Sequence, residues 1–299
     1  MKKTLQTLSI LALLCLTTLS HAMTGIFWQP QLRDKKISDT QWLSLMESVK
    51  QQGFDTLIVQ WTQYGEALSG QEEQNFLKKR MEAAHSVGLR LIVGLNSDPE
   101  FFSLQKQSAS VLPNYLKNLK NNDIRQAQYW SEILPGKFEG WYISAEIDDV
   151  NWRDDSVRIM MEEWLRDTRT ELAKIENKPI YISSFFAGNT TPINYTRVIT
   201  KIHDIGLNIW IQDGSGTNTL TPAQRAIYLK ESAGCNVNTP AAGIIYELFS
   251  AHSSKPFKVS QKNTDDITQL LTTQSQCKKD RIFFSLRYLP VANSIMEKN

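Results

Sequence analysis

Side chains that commonly bind metal ions are scarce in this sequence, which has four histidines and three cysteines among 299 residues. His85, His203 and His252 lie far apart along the chain, and no two of them have the spacing of metal ligands. A metal-dependent deacetylase or phosphodiesterase needs a cluster of His and Asp at its site. The sequence therefore argues against these enzymes, and we expect no metal and no other cofactor.

Charge of one sign is not in excess either. The 33 Lys and Arg residues nearly balance the 31 Asp and Glu residues, and no block of basic residues occurs. A neutral chain without such a block is not typical of proteins that bind nucleic acid or an anionic membrane surface. Internal repeats, low-complexity segments and linkers are also lacking, so we predict one domain, residues 23–299.

Long apolar runs are limited to the N-terminus. The run LSILALLCLTTLS follows Lys2 and Lys3 and precedes SHA, which is the pattern of a secretory signal peptide. This run is too short for a transmembrane helix, so we expect no membrane anchor. We predict cleavage after Ala22 and export of the mature chain to the periplasm or out of the cell. The oligomeric state is not predicted.

Two cysteines, Cys235 and Cys277, follow the predicted signal peptide. An even number of cysteines in an exported protein favours a disulfide bond between them. Two buried thiols are the alternative.

Eight short apolar runs, separated by segments of helical periodicity, make up the rest of the chain. They occupy residues 24–30, 55–65, 90–98, 138–149, 179–188, 206–216, 241–250 and 281–290. Continuous runs of this kind are typical of parallel strands that are buried on both faces. Eight strand and helix units over this length predict an α/β fold, a (β/α)8 TIM barrel. The alternative, an open doubly wound sheet, usually has a glycine-rich loop after its first strand, and WQPQLRDKK has no glycine.

Helices are predicted between the apolar runs. They are expected at about residues 39–52, 71–87, 123–134 and 156–177, and from Pro222 onward with Thr221 as the N-cap.

Polar side chains collect at the C-terminal ends of the predicted strands. In the fourth run, GWYISAEIDDVNW, alternation places Glu146 and Asp148 on the face that points to the barrel lumen and its mouth. Catalytic residues of TIM barrels lie at these strand ends. Burying many polar groups at one rim costs on the order of 1–3 kcal/mol each unless they are paired, so we interpret the rim as a binding site. Further residues there are predicted to bind substrate: Gln60, Tyr64, Asn96, Gln212, Asp213 and Arg287.

Two of the predicted strands end in glutamate, Glu146 in the fourth and Glu247 in the seventh. These positions resemble those of a large superfamily of retaining glycoside hydrolases with (β/α)8 barrels. The resemblance implies that Glu146 is the acid/base, its pKa raised by burial and by its neighbour, and that Glu247 is the nucleophile. We expect Arg287 or Tyr64 to keep Glu247 ionised, with the two carboxyl groups about 5–5.5 Å apart.

One position departs from that superfamily. It usually has Asn before the glutamate of the fourth strand, where this chain has Ala145. The amide that would bind the sugar 2-hydroxyl is therefore either missing or supplied from elsewhere, with Asn96, Gln60 and Gln212 as candidates.

Other pairings and roles are open at the rim. Asp148, two residues from Glu146 on the same strand face, is a second possible partner, and Asp213 is a third. Chitinase-like barrels have Asp two residues before the catalytic Glu, and here the order is reversed. Glu146 and Glu247 could instead form ion pairs with Lys or Arg, and Asp148 and Asp149 could cap a turn.

Four tryptophans, Trp28, Trp61, Trp152 and Trp210, fall at or just past predicted strand ends. An indole ring is large, rigid and apolar on its face, and it stacks on the apolar face of a sugar. We predict that these four side chains bind a carbohydrate, with packing in the core as the alternative for each.

Four segments resemble a bacterial family of glycoside-hydrolase-like TIM-barrel proteins, DUF4434: GIFWQP, LIVQWTQYG, WYISAEID and IWIQDGSG. The resemblance covers nearly all of the mature chain, and it implies the barrel and a carbohydrate-active site without naming a substrate. The leading hypothesis is an exported glycoside hydrolase that cleaves a polysaccharide or oligosaccharide with paired carboxylates. The alternative is a barrel that binds glycans without cleaving them and assists polysaccharide secretion.

Overall fold

The computed structural model describes residues 22–236, 238–254, 257–273 and 277–296, without the side chains of residues 253–257. Apart from Ala22, the predicted signal peptide lies outside the described residues. No helix in the described ranges is long and apolar enough to cross a membrane.

Eight parallel strands close into a barrel, which confirms the predicted fold class. They are β1 Thr24–Trp28, β2 Thr56–Val59, β3 Arg90–Gly94, β4 Gly140–Ile147, β5 Ile180–Ser184, β6 Asn208–Gln212, β7 Gly243–Glu247 and β8 Asp280–Phe284. Each strand pairs with the next one along the chain, and β1 closes the barrel by pairing with β8. Each of these strands lies within one of the apolar runs of the sequence, except that β8 begins one residue before its run.

Seven helices of at least two turns connect the described strands. They are α1 Asp39–Gln51, α2 Gln71–Ser86, α3 Leu112–Ile133, α4 Asp155–Ile175, α5 Pro192–Ile205, α6 Pro222–Ala233 and α7 Thr264–Thr272. Shorter helical segments are Phe101–Leu104, Leu32–Lys36, Leu286–Tyr288 and Pro290–Ala292. The Thr221 side chain caps α6 as predicted by accepting a hydrogen bond from the backbone of Gln224. The helix α3 begins earlier than predicted, and α5 and α7 were not predicted.

Side chains of the strands point alternately into the lumen and toward the helices, and each layer has its own apolar core. The larger core lies between strands and helices and includes Trp28, Trp42 and Trp130. The lumen is filled by Met23, Phe27, Ile58, Ile92, Tyr142, Trp210, Ile245 and Ile282. Because these side chains pack the interior of the barrel, a ligand can enter only at the mouth.

The strand β4 carries an irregularity just before Glu146. Its pairing with β5 shifts between Ile143 and Glu146, so that Ser144 and Ala145 are extra residues with no partner in the register. Two extra residues leave the alternation unchanged, and Glu146 therefore faces the lumen as Tyr142 does. The hydroxyl of Ser144 donates a 2.6 Å hydrogen bond to the carbonyl oxygen of Gln60 and ties the bulge to the end of β2.

A β-hairpin stands between β7 and α7. Its strands are Phe249–Ser254 and Phe257–Gln261, and they pair antiparallel. The hairpin was not predicted, because the sequences FSAHSS and FKVSQ are short and largely polar. The register shifts between Ala251 and Ser253, which makes His252 the extra residue of a bulge.

The cysteines form the predicted disulfide. The Cα atoms of Cys235 and Cys277 are 4.9 Å apart. The bond links the segment after α6 to the segment before β8 and encloses β7, the hairpin and α7. Such a cross-link stabilises the fold mainly by restricting the unfolded chain.

Candidate functional site

A cavity of about 1000 Å³ opens at the C-terminal ends of the strands. This volume lies at the upper end of what small-molecule sites commonly enclose. Three of the predicted site residues, Glu146, Gln212 and Glu247, face into it. The remaining lining residues are Gln29, Phe102, Phe185, Thr217, Ile245, Phe249, His252, Lys258, Val259, Phe284 and Tyr288.

Glu146 reaches the cavity from the end of β4. Burial raises the pKa of its carboxyl group, and a hydrogen bond from the Gln212 side chain lowers it in part. Tyr142 lies on the same face of β4, and its hydroxyl is 2.8 Å from the hydroxyl of Ser183. Burial, and then the charge of Glu146, raise the pKa of this tyrosine. A glutamate whose pKa is raised in this way is suited to act as a general acid.

Glu247 reaches the cavity from the end of β7, and only 2% of its surface is exposed. The backbone N–H of Gly216, in the loop after β6, donates a hydrogen bond to Oε2 of Glu247. A Cβ atom at residue 216 would lie 2.8 Å from that oxygen and 2.7 Å from the carbonyl oxygen of Phe249. The loop therefore needs glycine here in order to pack its backbone directly on the carboxyl group.

Asp213 and Lys262 lie beside Glu247, outside the cavity lining. Asp213 accepts hydrogen bonds from the backbone and the hydroxyl of Ser215, at 3.0 and 2.9 Å, and one from the backbone of Glu247 at 3.4 Å. The Lys262 ammonium donates to the hydroxyl of Ser215 at 2.6 Å and to the carbonyl oxygen of Glu247 at 2.7 Å. We call these three residues, Asp213, Ser215 and Lys262, the β6 network.

The β6 network and burial set the protonation of Glu247. Burial, and next the negative charge of Asp213, raise the pKa of Glu247 to about 8, while the charge of Lys262 opposes this shift. The charge of Glu146 also raises it, because the two glutamates face the same cavity. Burial raises the pKa of Asp213, and the Ser215 hydrogen bond and the Lys262 charge lower it.

The residues expected to keep Glu247 ionised do not do so, and that prediction was wrong. Arg287 is buried and forms an ion pair with Asp34, with 2.9 Å between nitrogen and oxygen. Tyr64 packs against Trp61 with the two rings tilted and 4.8 Å between their centroids, and it lines a separate groove. Neither side chain lines the cavity of the two glutamates.

Asp148 and Asp149 have structural partners instead of facing the cavity. The Asp148 carboxylate accepts hydrogen bonds from the backbone of Val150 and Asn151, at 2.9 and 2.6 Å, and from the side chain of Gln105 at 2.9 Å. Asp149 accepts bonds from the segment after β5 in the same way. The prediction that Asp148 points into the barrel mouth as a partner of Glu146 was wrong, because its carboxylate caps the turn that follows β4.

The tryptophans predicted to stack on sugars are mostly core residues. Trp28 and Trp152 are fully buried, and their indole nitrogens donate to Asp34 and Gln105. Trp210 is buried in the lumen, where it stacks on Tyr181 at 4.5 Å between centroids and donates to Asp280. Their predicted contact with sugar was wrong, because each ring is covered on both faces. Trp61 is partly buried and lines the separate groove with Tyr64.

Two of the three amides proposed for the sugar 2-hydroxyl lie outside the cavity lining. Asn96 belongs to a two-residue strand, Asn96–Ser97, and its backbone N–H donates to Asp123 at 3.0 Å. Gln60 is 5% exposed, and its side-chain oxygen has no hydrogen-bond partner in the described structure. Of the three amides, Gln212 is the one that lines the cavity.

Phenylalanines form most of the aromatic wall of the cavity, and they were not predicted from the sequence. Phe102 and Phe185 lie on one side, with 6.2 Å between their ring centroids. Phe249 lies on the other side, 6.1 Å from Phe284 and 5.9 Å from Tyr288. Phe185, Phe249 and Phe284 are at or just past strand ends, so the rule applied to tryptophan would have found them. Among the described residues, no group of three or more His, Cys, Asp or Glu could hold a metal ion.

Solved structures of similar fold are known. A Bacteroides thetaiotaomicron protein provisionally described as an alpha-L-fucosidase has a TM-score of 0.61 and 16% identity, over 89% of this chain and 85% of that chain. GH5_18 from Streptomyces cattleya, in complex with GlcNAc, has a TM-score of 0.51 and 13% identity, over 88% and 70% of the two chains. At these identities the likeness concerns the fold.

Sequence relatives are much more similar. The Escherichia coli (strain K12) protein YbcH, described as uncharacterized, is 48% identical over 288 residues, which are 96% of this chain and 97% of that protein. The family model described as domain of unknown function DUF4434 matches residues 23–294. The resemblance inferred from the sequence is thus confirmed, and the chain belongs to the DUF4434 family.

Proposed function

We propose that this protein is a glycoside hydrolase that cleaves an oligosaccharide or polysaccharide at the mouth of its barrel. One observation carries the proposal: Glu146 and Glu247, from β4 and β7, face one cavity with aromatic walls. Most glycosidases cleave with two carboxyl groups that flank the bond to be broken. The fold is shared with the S. cattleya protein solved with GlcNAc, which supports a carbohydrate ligand.

Glu146 is the general acid of the proposed reaction. Its buried carboxyl group has a raised pKa, and Gln212 holds it by a hydrogen bond. The proton passes to the glycosidic oxygen as the bond from that oxygen to the anomeric carbon breaks. The resulting carboxylate later takes a proton from water, and the hydroxide equivalent adds to the same carbon.

Glu247 is the nucleophile of the proposed reaction. Its ionised carboxylate forms a bond to the anomeric carbon as the leaving group departs, and water later displaces it. The hydrogen bond from Gly216 fixes the carboxyl group against the loop after β6. Burial and the charge of Asp213 raise the pKa of Glu247 to about 8, so we expect the rate to increase with pH as this carboxyl group ionises.

The proposed substrates lie outside the cytoplasm. The N-terminal segment is expected to direct export, and a disulfide between Cys235 and Cys277 suits an oxidising compartment. We propose that the enzyme acts on glycans in the periplasm or outside the cell.

The experiment that tests the function is reducing-end release from a panel of bacterial and environmental polysaccharides. We expect the wild-type protein to cleave at least one, and we expect NMR of the first product to report retention of the anomeric configuration. Binding to a glycan without release of reducing ends would instead favour a non-catalytic glycan-binding barrel. Inversion would contradict the role of Glu247 as nucleophile.

Two substitutions in the β6 network should move the pH dependence in opposite directions. Asp213→Asn removes a negative charge that raises the pKa of Glu247, so Glu247 ionises at lower pH. Lys262→Gln removes a positive charge that lowers this pKa, so ionisation needs higher pH. The acid limb of the kcat/KM profile should therefore move to lower pH in Asp213→Asn and to higher pH in Lys262→Gln. At about pH 6 each variant should differ from the wild type by up to roughly tenfold, as expected for one charge at short range.

The measurement is kcat/KM from about pH 5 to 9 for the wild type and both variants. Equal profiles, or shifts of the same sign, would contradict the assignment of the acid limb to Glu247.

A further inference from the structure

Charged side chains in the cavity are segregated. The two acids, Glu146 and Glu247, lie at strand ends on the floor. The basic side chains, His252 and Lys258, lie on the hairpin that forms one wall. The hairpin sequence from residue 249 to 261 contains no Asp or Glu.

The ammonium group of Lys258 forms no ion pair and no hydrogen bond with any residue that the structure describes. It is exposed, and it lines the cavity without pairing with the acids on the floor. An ammonium group in this position is available to a ligand. A lysine that served only to neutralise Glu146 or Glu247 would lie within ion-pair distance of one of them.

His252 strengthens the polar character of the same wall. As the extra residue of a β-bulge, it is turned out of the regular alternation, which is how bulges re-aim side chains. Its Nε2 atom is hydrogen-bonded to the hydroxyl of Ser260, which orients the ring. His252 and Lys258 line the same cavity, one from each strand of the hairpin.

The floor does not repel an anion as strongly as two glutamates usually would. Burial raises the pKa of both carboxyl groups, and that of Glu247 reaches about 8. Near neutral pH the floor thus carries less than its full negative charge, while the hairpin wall carries the ammonium of Lys258.

We propose that the glycan bound in this cavity carries an anionic substituent, a carboxylate or a sulfate, and that Lys258 binds it on the hairpin wall. This inference rests on the proposed function in so far as both take the cavity as a glycan site. The sugar ring at the cleavage point then contacts the floor, and the anionic group points to the hairpin. The substrate class is an acidic polysaccharide.

The test measures binding apart from cleavage, with the full chain carrying Glu146→Gln so that bound glycans stay intact. Calorimetry compares oligosaccharides that carry uronate or sulfate groups with the same oligosaccharides after carboxyl reduction or desulfation. We expect an acidic oligosaccharide to bind about tenfold more tightly than its neutral counterpart. A difference for the uronate pair identifies a carboxylate as the bound group, and a difference for the sulfated pair identifies a sulfate. The difference should shrink as salt is added.

Lys258→Met should remove this difference, and Lys79→Met, at an exposed lysine of α2 outside the cavity, should leave it unchanged. Equal affinities, binding of neutral forms alone, no binding by any acidic form, or a difference that survives Lys258→Met would each overturn the inference. Cleavage of neutral glycans without acidic preference would overturn it while the proposed function stands. Preferential binding of acidic glycans, without cleavage of any glycan by the wild type, would support the inference and contradict the proposed function.

Discussion

Cleavage by the Glu146→Gln variant is expected to fall by about a thousandfold, with the fold retained. General acid catalysis contributes roughly 10² to 10⁴ in rate, and glutamine keeps the size of the side chain while losing its proton. The side chain of Gln212 donates the hydrogen bond to Glu146, and the amide oxygen of a glutamine at residue 146 can still accept it. The measurement is kcat/KM for reducing-end release, with circular dichroism to check folding.

The leaving group separates the acid role from other roles. The nitrophenolate group of a nitrophenyl glycoside can leave without being protonated. Glu146→Gln should therefore slow the first step on this substrate far less than it slows cleavage of a natural linkage. Glu132→Gln, at an exposed glutamate of α3, is the matched control and should keep wild-type activity. Full activity of Glu146→Gln on a natural linkage would refute the assignment.

Loss of the ion pair between Arg287 and Asp34 is expected to cost about 3–5 kcal/mol in the free energy of unfolding. Each residue is 2% exposed, and Asp34 also accepts hydrogen bonds from the Trp28 indole at 3.3 Å and the Gln31 backbone at 3.1 Å. Arg287→Met leaves a buried carboxylate without its cation. The pair joins the segment after β1 to the segment after β8, so its loss weakens the closure of the barrel. Urea unfolding measures the change.

The double variant Arg287→Met with Asp34→Asn should recover part of this stability, because it leaves no unpaired charge. Lys174→Met, which removes a surface pair with Glu171, should change stability by less than about 1 kcal/mol. A loss below about 1 kcal/mol for Arg287→Met would show that water or another group compensates Asp34.

The barrel could be predicted because each strand is a continuous apolar run buried on both faces. The position of Glu146 followed from alternation along β4, and that of Glu247 from its place at the end of the seventh apolar run. Alternation along β4 survives the bulge at Ser144 and Ala145 because two residues are inserted. A bulge of one residue would have turned Glu146 away from the lumen.

The aromatic contacts could not be predicted in the same way. In TGIFW nearly every side chain is apolar, so the pattern does not say whether Phe27 or Trp28 faces the lumen. In the structure Phe27 does, and Trp28 packs between strand and helices.

The partner of Arg287 also could not be predicted from the sequence. It is Asp34, 253 residues away, and only the closed barrel brings the two together. By contrast, α5 has the same signal that revealed α6, a threonine N-cap followed by proline, and this signal at Thr191 and Pro192 was overlooked.

The hairpin between β7 and α7 is separate from the sheet of the barrel. It contributes no strand to the barrel, and its two strands pair with each other. A change in its sequence or length therefore alters one wall of the cavity while the floor with Glu146 and Glu247 stays in place. The ligand that the cavity accepts can thus change with the hairpin, while the strand ends that carry the two glutamates stay the same.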